Sequence, residues 1–209
     1  MLAPIFGGSV KNAGAIGWSE IESGEALLIA RCAAGDEAAC AELVATHQRM
    51  VYGLAMNLLG DRDEALDLSQ EVFLRVFRTI AQFRGQSALR TWIFRIAVNQ
   101  VRNRSRWWRR RHRSSQVSLD EHILQCGEIE ATQDIRPDRL LASKEAALKI
   151  WQAMERLPFE QRTALILREV DGLRYEEIAF TMDVAVGTVK SRLTRARQTL
   201  RAELLGLRR

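Results

Sequence analysis

The stretch from residue 175 to the C-terminus limits the possible folds more than any other part of the chain. YEEIAFTM over 175–182 and TVKSRLTRAR over 188–197 both repeat apolar residues at helical spacing, and only DVAVG separates them. Helices joined by so short a turn must cross at once. The crossing needs a small residue, here Ala179, and a buried turn residue, here Val184. Val189 and Leu193, at i and i+4, face inward, so Lys190, Ser191, Thr194, Arg195 and Arg197 project outward. This is the layout of a helix-turn-helix, whose second helix enters the DNA major groove with its N-terminal half. An outward arginine can hold guanine O6 and N7 with two bonds, while Ser, Thr and Lys meet bases or phosphates. A plain helical hairpin with a solvated basic face fits the same pattern, so the rest of the chain has to decide.

Charge is distributed unevenly along the 209 residues, whose net charge is +5. Residues 102–113 hold seven arginines, residues 114–138 hold six acids against one base, and residues 188–209 hold seven bases against one acid. Basic segments flanking an acidic bridge point to a polyanionic partner met at more than one place. The cysteines, Cys32, Cys40 and Cys126, have neither disulfide-framework nor zinc-ligand spacing, and reduced thiols in the cytoplasm are the simple reading. No apolar run approaches the length that spans a bilayer, and residues 1–23 lack the pattern of a signal peptide. No membrane insertion is expected.

Read in order, residues 1–23 are rich in glycine and form a mobile N-terminal extension in which Ile16 and Trp18 have no evident docking place. A short helix over 25–34 ends at Gly35. Asp36 caps a long second helix that carries Leu43, Val51, Leu54 and Leu58 and stops at Gly60. Asp61 or Asp63 starts a third helix to about Phe83, with Leu66, Phe73, Val76, Phe77 and Ile80 as its buried stripe. Its other face groups Asp67, Gln70, Glu71, Arg75 and Arg78. A loop through Gly85 leads to a fourth helix over 89–108, with Ile93, Ile96 and Ala97 inward. Arg95, Asn99, Arg102, Asn103 and Arg106 recur on one polar, basic stripe. Residues 114–137 lose periodicity and read as an acidic linker. An amphipathic helix over 140–157 is broken by Pro158, a helix over 159–170 and the Asp171-Gly172 turn follow, and the helix-turn-helix closes the chain. No strand pattern emerges. The expected fold is all-α, with two small helical domains joined by a flexible linker.

Two separate blocks then become specific together. DLSQEVFLRVF over 67–77, FRG over 83–85 and TWIFRIAVN over 91–99 resemble region 2 of the extracytoplasmic-function sigma factors, in the sigma-70 family of bacterial RNA polymerase. LP at 157–158, REVDGL over 168–173, YEEIA over 175–179 and VGTVKSRL over 186–193 resemble their region 4. The resemblance covers roughly residues 25 to 205. It implies four parts: the N-terminal extension over 1–23, region 2 over 24–113, the linker over 114–137, and region 4 over 138–209.

The resemblance also implies roles. Asp67, Gln70, Glu71 and Arg75 would dock on core RNA polymerase. Around the −10 element, Phe83, Arg84, Gly85 and Ser87 would form a pocket for an extruded base, which needs a shaped and polar site because unstacking costs a few kcal/mol. Asn99 and Asn103 would read that base, each offering both a donor and an acceptor. Arg95, Arg102 and Arg106 would track phosphates. The resemblance assigns nothing to Trp107 and Trp108, which could stack bases or be buried under the linker, whereas Trp92, beside Leu89 and Ile93, reads as a core residue. On the −35 element, Lys190, Ser191, Thr194 and Arg195 would enter the groove, with Arg174, Thr188, Arg192 and Arg197 on phosphates or in packing. Ala185 stands where the family often has Pro, and Arg174 where it often has Ser, which loses a helix cap. Family members are commonly held inactive by an anti-sigma protein, and by analogy such a partner is expected here.

Other readings explain less. An autonomous helix-turn-helix regulator accounts for residues 140–209 and leaves the block over 67–99 without a purpose. The acids Asp61, Asp63, Glu64, Asp67 and Glu71 invite a divalent-metal site, but nothing near them in sequence supplies a nucleophile, a base or a phosphate cradle. The chain is therefore expected to be no enzyme and to need no cofactor or metal.

Overall fold

A computed structural model describes residues 23–111 and 147–206, with side chains in the fourth helix described as far as Arg106. The N-terminal extension with Ile16 and Trp18, the side chains of Trp107 and Trp108, the linker with Cys126, and the start of the amphipathic stretch at 140 lie outside what is described. Every regular element among the described residues is helical: α1 (Ser23–Ala33), α2 (Glu37–Leu59), α3 (Arg62–Thr79), a 3₁₀ turn (Ile80–Gln82), α4 (Leu89–Arg111), a helical stretch over 147–155, α5 (Phe159–Glu169), α6 (Tyr175–Met182) and α7 (Val186–Gly206).

The helix boundaries follow from local chemistry. Asp36 accepts the amide of Ala39 at 3.1 Å, and Asp61 accepts that of Glu64 at 2.9 Å, so each aspartate satisfies a donor that its helix leaves open. Such a cap contributes roughly 1 kcal/mol. Gly60 ends α2 in the left-handed region at φ 75°, with its N–H on the Met56 carbonyl. One glycine thus separates the stop of one helix from the capping residue of the next, which fixes α2 and α3 as a tight antiparallel pair. Pro158 opens α5, where its missing N–H is not needed. At the start of α6, Arg174 has no side-chain acceptor to offer a backbone donor. Glu177 reaches back to the Arg174 N–H at 2.7 Å, and half of the missing cap is thereby replaced.

Some expected faces move. Leu66 is 43% exposed, and α3 buries Ala65, Leu68, Val72, Phe73 and Val76 instead. An apolar residue at position 66 falls outside the stripe that Leu68 and Val72 set, while Phe77 is only partly buried. The α-helix also ends at Thr79 and tightens into the 3₁₀ turn, so Phe83 lies beyond it. In α4 the large buried side chain is Phe94, beside Ile93 and Val98.

Region by region, α1 to α4 surround one set of apolar side chains, and α5 to α7 another. The buried residues of both nevertheless join in one continuous cluster. The joint lies where α4 packs on α6 and α2 meets α5. In the C-terminal half, Asp183 takes φ 57° at the end of α6, and the Val184 N–H bonds the Ala179 carbonyl at 3.0 Å. Aspartate is among the few non-glycine residues that tolerate this conformation. The turn is shorter than the sequence suggests, because Val186 and Gly187 already belong to α7. Ala179 is buried, as a close crossing requires.

Candidate nucleic-acid and polymerase interface

Three surfaces carry the residues singled out in the sequence. On α3, Asp67, Gln70, Glu71 and Arg75 are all exposed. Leu66 and Leu74 stand beside them at 43% and 53% exposure, so the face mixes apolar and charged groups. Glu71 is steadied from the opposite helix. Arg104 gives one guanidinium nitrogen to Glu71 Oε1 and another to Glu64 Oε2, each at 2.5 Å, with only 18% of its own side chain exposed. Of the five acids considered as a metal cluster, Glu64 and Glu71 converge on this cation.

The loop after α3 is built from the inside. Phe83 is 6% exposed and its ring sits 5.3 Å from that of Trp92, so it holds up the loop from the core and does not line an open pocket. Ser87 is likewise buried, its hydroxyl donating to the Ala88 carbonyl. For these two positions the expected direct contact with a base is corrected: apolar burial of Phe83 turns both side chains inward. Gly85, at φ 66°, makes the bend, and Arg84 remains exposed at the tip. Trp92 is the core residue expected of it.

Along α4 the polar stripe exists, but it does not face open solvent for its whole length. Arg95 reaches Asp183 at 3.1 Å and lies over the Phe180 ring at 4.9 Å. Arg102 donates to both oxygens of Glu160, at 3.1 and 3.3 Å, and to Asn99 Oδ1 at 3.3 Å. Asn103 and Arg106 are exposed.

On α7 the arrangement is the reverse. Lys190, Ser191, Thr194 and Arg195 are exposed on one face, above the buried Val189, Leu193 and Ala196. The Ser191 and Thr194 hydroxyls donate to helix carbonyls, at 2.9 and 3.0 Å, and keep their lone pairs free to accept. Lys190 extends over the Tyr175 ring at 6.0 Å. Arg195 meets no acid among the described residues. The flanking arginines are engaged: Arg192 pairs with Glu160 at 3.0 Å, and Arg197 with Glu169 at 2.6 Å. Thr188 is half-buried in the first turn, and Arg174 is exposed at the start of α6. The sequence did not point to Arg104, Glu160 or Asp183. Arg104 had a signal: it lies nine residues after Arg95, about half a turn round the helix from the stripe, which aims it at α3.

A helical chain with this three-surface layout belongs to the class that couples polymerase to promoter DNA, and comparison with known proteins agrees. Sigma-70 region 2 matches residues 43–114, and sigma-70 region 4 matches residues 147–200. The RNA polymerase sigma-H factor of Pseudomonas aeruginosa is 38% identical over 174 residues, covering 83% of this chain and 90% of that one. The ECF RNA polymerase sigma-E factor of Escherichia coli K12 is 39% identical over 176 residues, covering 83% and 91%. Among solved structures, the sigma factor RpoE bound to the anti-sigma factor NepR of Bartonella quintana is 27% identical, with a TM-score of 0.58 over 80% of this chain and 97% of that one. CnrH in complex with the cytosolic domain of CnrY is 23% identical with a TM-score of 0.61, over 86% and 96%, and shares the fold. The chain belongs to the extracytoplasmic-function sigma factors of the sigma-70 family. Its work is therefore to bind core RNA polymerase and promoter DNA and to direct initiation, with the chemistry left to the polymerase. No helix among the described residues is long and apolar enough to cross a membrane.

Proposed function

We propose that the exposed α3 face around Asp67, Gln70, Glu71 and Arg75 docks on core polymerase, that α4 and the loop before it hold the melted −10 strand, and that α7 reads the −35 duplex. Region 2 would span residues 24–113 and region 4 residues 138–209, with 114–137 as the tether between them. Within the −10 set, Arg84, Arg95, Asn99, Arg102, Asn103 and Arg106 meet the strand, while Phe83, Gly85 and Ser87 shape the loop from beneath. On α7, Arg195 is the guanine reader, with Lys190, Ser191 and Thr194 beside it. Thr188 and Arg174 serve phosphates, and Arg192 and Arg197 chiefly pack the domain. The factor acts in the cytoplasm and is held in check by an anti-sigma partner, as the complex of the similar RpoE with NepR suggests.

The observation that carries this reading is the pairing, on one chain, of an exposed leucine-and-acid face with a recognition helix whose central cation, Arg195, meets no acid among the described residues. Transcription tests it. Purified chain added to core polymerase free of other sigma factors should direct defined start sites from promoters selected out of genomic DNA. Glu71→Arg should weaken core binding about tenfold while leaving helicity intact, since reversing an interfacial charge costs more than removing it. Core binding that Glu71→Arg leaves unchanged overturns the α3 assignment.

A further inference from the structure

Two thiols meet across the turn between α1 and α2. Cys32 lies in the last turn of α1 and is 5% exposed, while Cys40 lies near the start of α2 and is half-buried. The turn that separates them is tied on both sides. Gly35, at φ 85°, donates its N–H to the Cys32 carbonyl at 3.1 Å, and the Asp36 N–H reaches the Arg31 carbonyl at 3.1 Å. Glycine takes this left-handed step without strain. The Arg31 guanidinium holds the Asp36 carboxylate at 2.8 Å, and the Asp36 carbonyl accepts the Cys40 N–H at 3.0 Å. A backbone held so firmly brings the two sulfurs into contact, and the Cys32 S–H donates to the Cys40 Sγ. Sulfurs this close, on two packed helices, are placed for a disulfide. The far side of α1 matters as well. α1 packs on the 3₁₀ turn, whose Ile80 carbonyl accepts the Phe83 N–H. Ile29, one turn before Cys32, is buried in the same apolar cluster as Ile80.

We propose that Cys32 and Cys40 are a redox-modification site: a hydroperoxide closes them into an intrachain disulfide that staples α1 to α2 and tightens the seat of α1 on the 3₁₀ turn. Cys40 is the sulfur that an oxidant reaches first. Its thiolate attacks one peroxide oxygen and the O–O bond breaks. Cys40 becomes a sulfenic acid, and the departing hydroxide takes a proton to give water. Cys32 then loses its proton and attacks the Cys40 sulfur. The S–S bond forms, the S–O bond breaks, and a second water leaves. The two thiols give up two electrons in all, and the peroxide accepts them. Burial, followed by the neighbouring Cys40, pushes the Cys32 thiol up to about 11, so Cys32 serves as the resolving sulfur and not as the first to react. The same protonation slows ring closure, so the site answers sustained peroxide and stays reduced in an ordinary cytoplasm.

The full chain carrying Cys126→Ser, which removes the third thiol, should be treated with hydrogen peroxide. The same chain carrying Cys40→Ser or Cys32→Ala as well is the control, each protein being compared with its own untreated form. Mass spectrometry of unreduced peptides reads the bond and its partners, and hydrogen exchange follows residues 27–34 and 80–83. The two-thiol chain should lose two hydrogens and join its Cys32 and Cys40 peptides within one molecule. Exchange in both segments should then slow about three- to tenfold, as expected when a locally opening element is tied down. Dithiothreitol should reverse both changes, and neither control should gain protection. A two-thiol chain that stays reduced under peroxide sufficient to oxidise free glutathione overturns the site. So does one that joins only between molecules, or that runs on to sulfinic acid without closing. A bond that forms inside the chain yet leaves exchange at 80–83 unchanged overturns the staple.

Discussion

The basic stripes on α4 and α7 have similar composition and opposite states. On α7, Arg195 and Lys190 carry no ion pair among the described residues, and the hydroxyls between them are tied only to their own helix. On α4, Arg95 and Arg102 are both four-fifths buried and both paired with acids from the other half of the molecule. The difference teaches that a cation's presence on a helix face does not make it available. Duplex DNA offers a preformed groove, so its reader can stand ready.

The largest expected effect tests the open side of this comparison. Arg195→Ala should cost ~1–3 kcal/mol at the −35 element and relax preference at a single base pair, if the guanidinium holds a guanine edge. Competition binding with each base substituted in turn would show it. A uniform loss across all sequences would make Arg195 a phosphate contact, and the two stripes would then differ in pairing only.

A smaller effect sits at the joint. The Asp171 carboxyl is pushed up to about 6, chiefly by burial, with Arg90 acting in the opposite sense. Its Oδ2 is buried and accepts no hydrogen bond. A carboxyl whose folded value lies above its unfolded one destabilises the fold when ionised. The penalty is therefore present above about pH 6 and is relieved as the pH falls toward its ordinary value near 4. Asp171→Asn should raise stability at neutral pH by ~1–2 kcal/mol, the full shift being discounted for the carboxyl's remaining contact with water. Thermal melts at several pH values check it. The wild type should gain stability on mild acidification, and the variant should not share that gain. Equal profiles would mean that Arg90 compensates the charge completely, and the joint would be electrostatically neutral where it is now read as strained.

How much of this was legible in the residues differs between elements. Caps and stops were, because Asp36, Gly60, Asp61 and Pro158 act on their immediate neighbours. The α7 face was also legible, since Val189 and Leu193 define what points away from them. Leu66 misled because an apolar residue on a helix can belong to a partner as readily as to the core. Phe83 and Ser87 misled because a motif gives a loop's position in the chain and not which side chains turn inward. The joint between the two helical regions could not be read at all. Glu160 and Arg102 are separated by 58 residues and belong to different helical regions, so nothing in their local patterns announces the contact.

The smallest expected effect concerns a cation that is permanently committed. Arg104 is paired within region 2, with Glu64 and Glu71, and not with an acid from the other half of the molecule. It holds the Glu71 carboxylate, half exposed, in one place on the surface proposed to meet polymerase. A held carboxylate loses less side-chain freedom on docking than a loose one. Arg104→Met keeps the stem packed between α3 and α4 and removes the fork. Core binding should weaken by only ~0.5–1 kcal/mol, because one acid is well solvated and the pair is screened. The telling measurement is a double-mutant cycle with Glu71→Gln, read in polymerase affinity and in unfolding midpoint. Coupling in affinity marks Arg104 as the residue that positions Glu71 for its partner. Coupling in stability alone would reduce it to a tie between two helices.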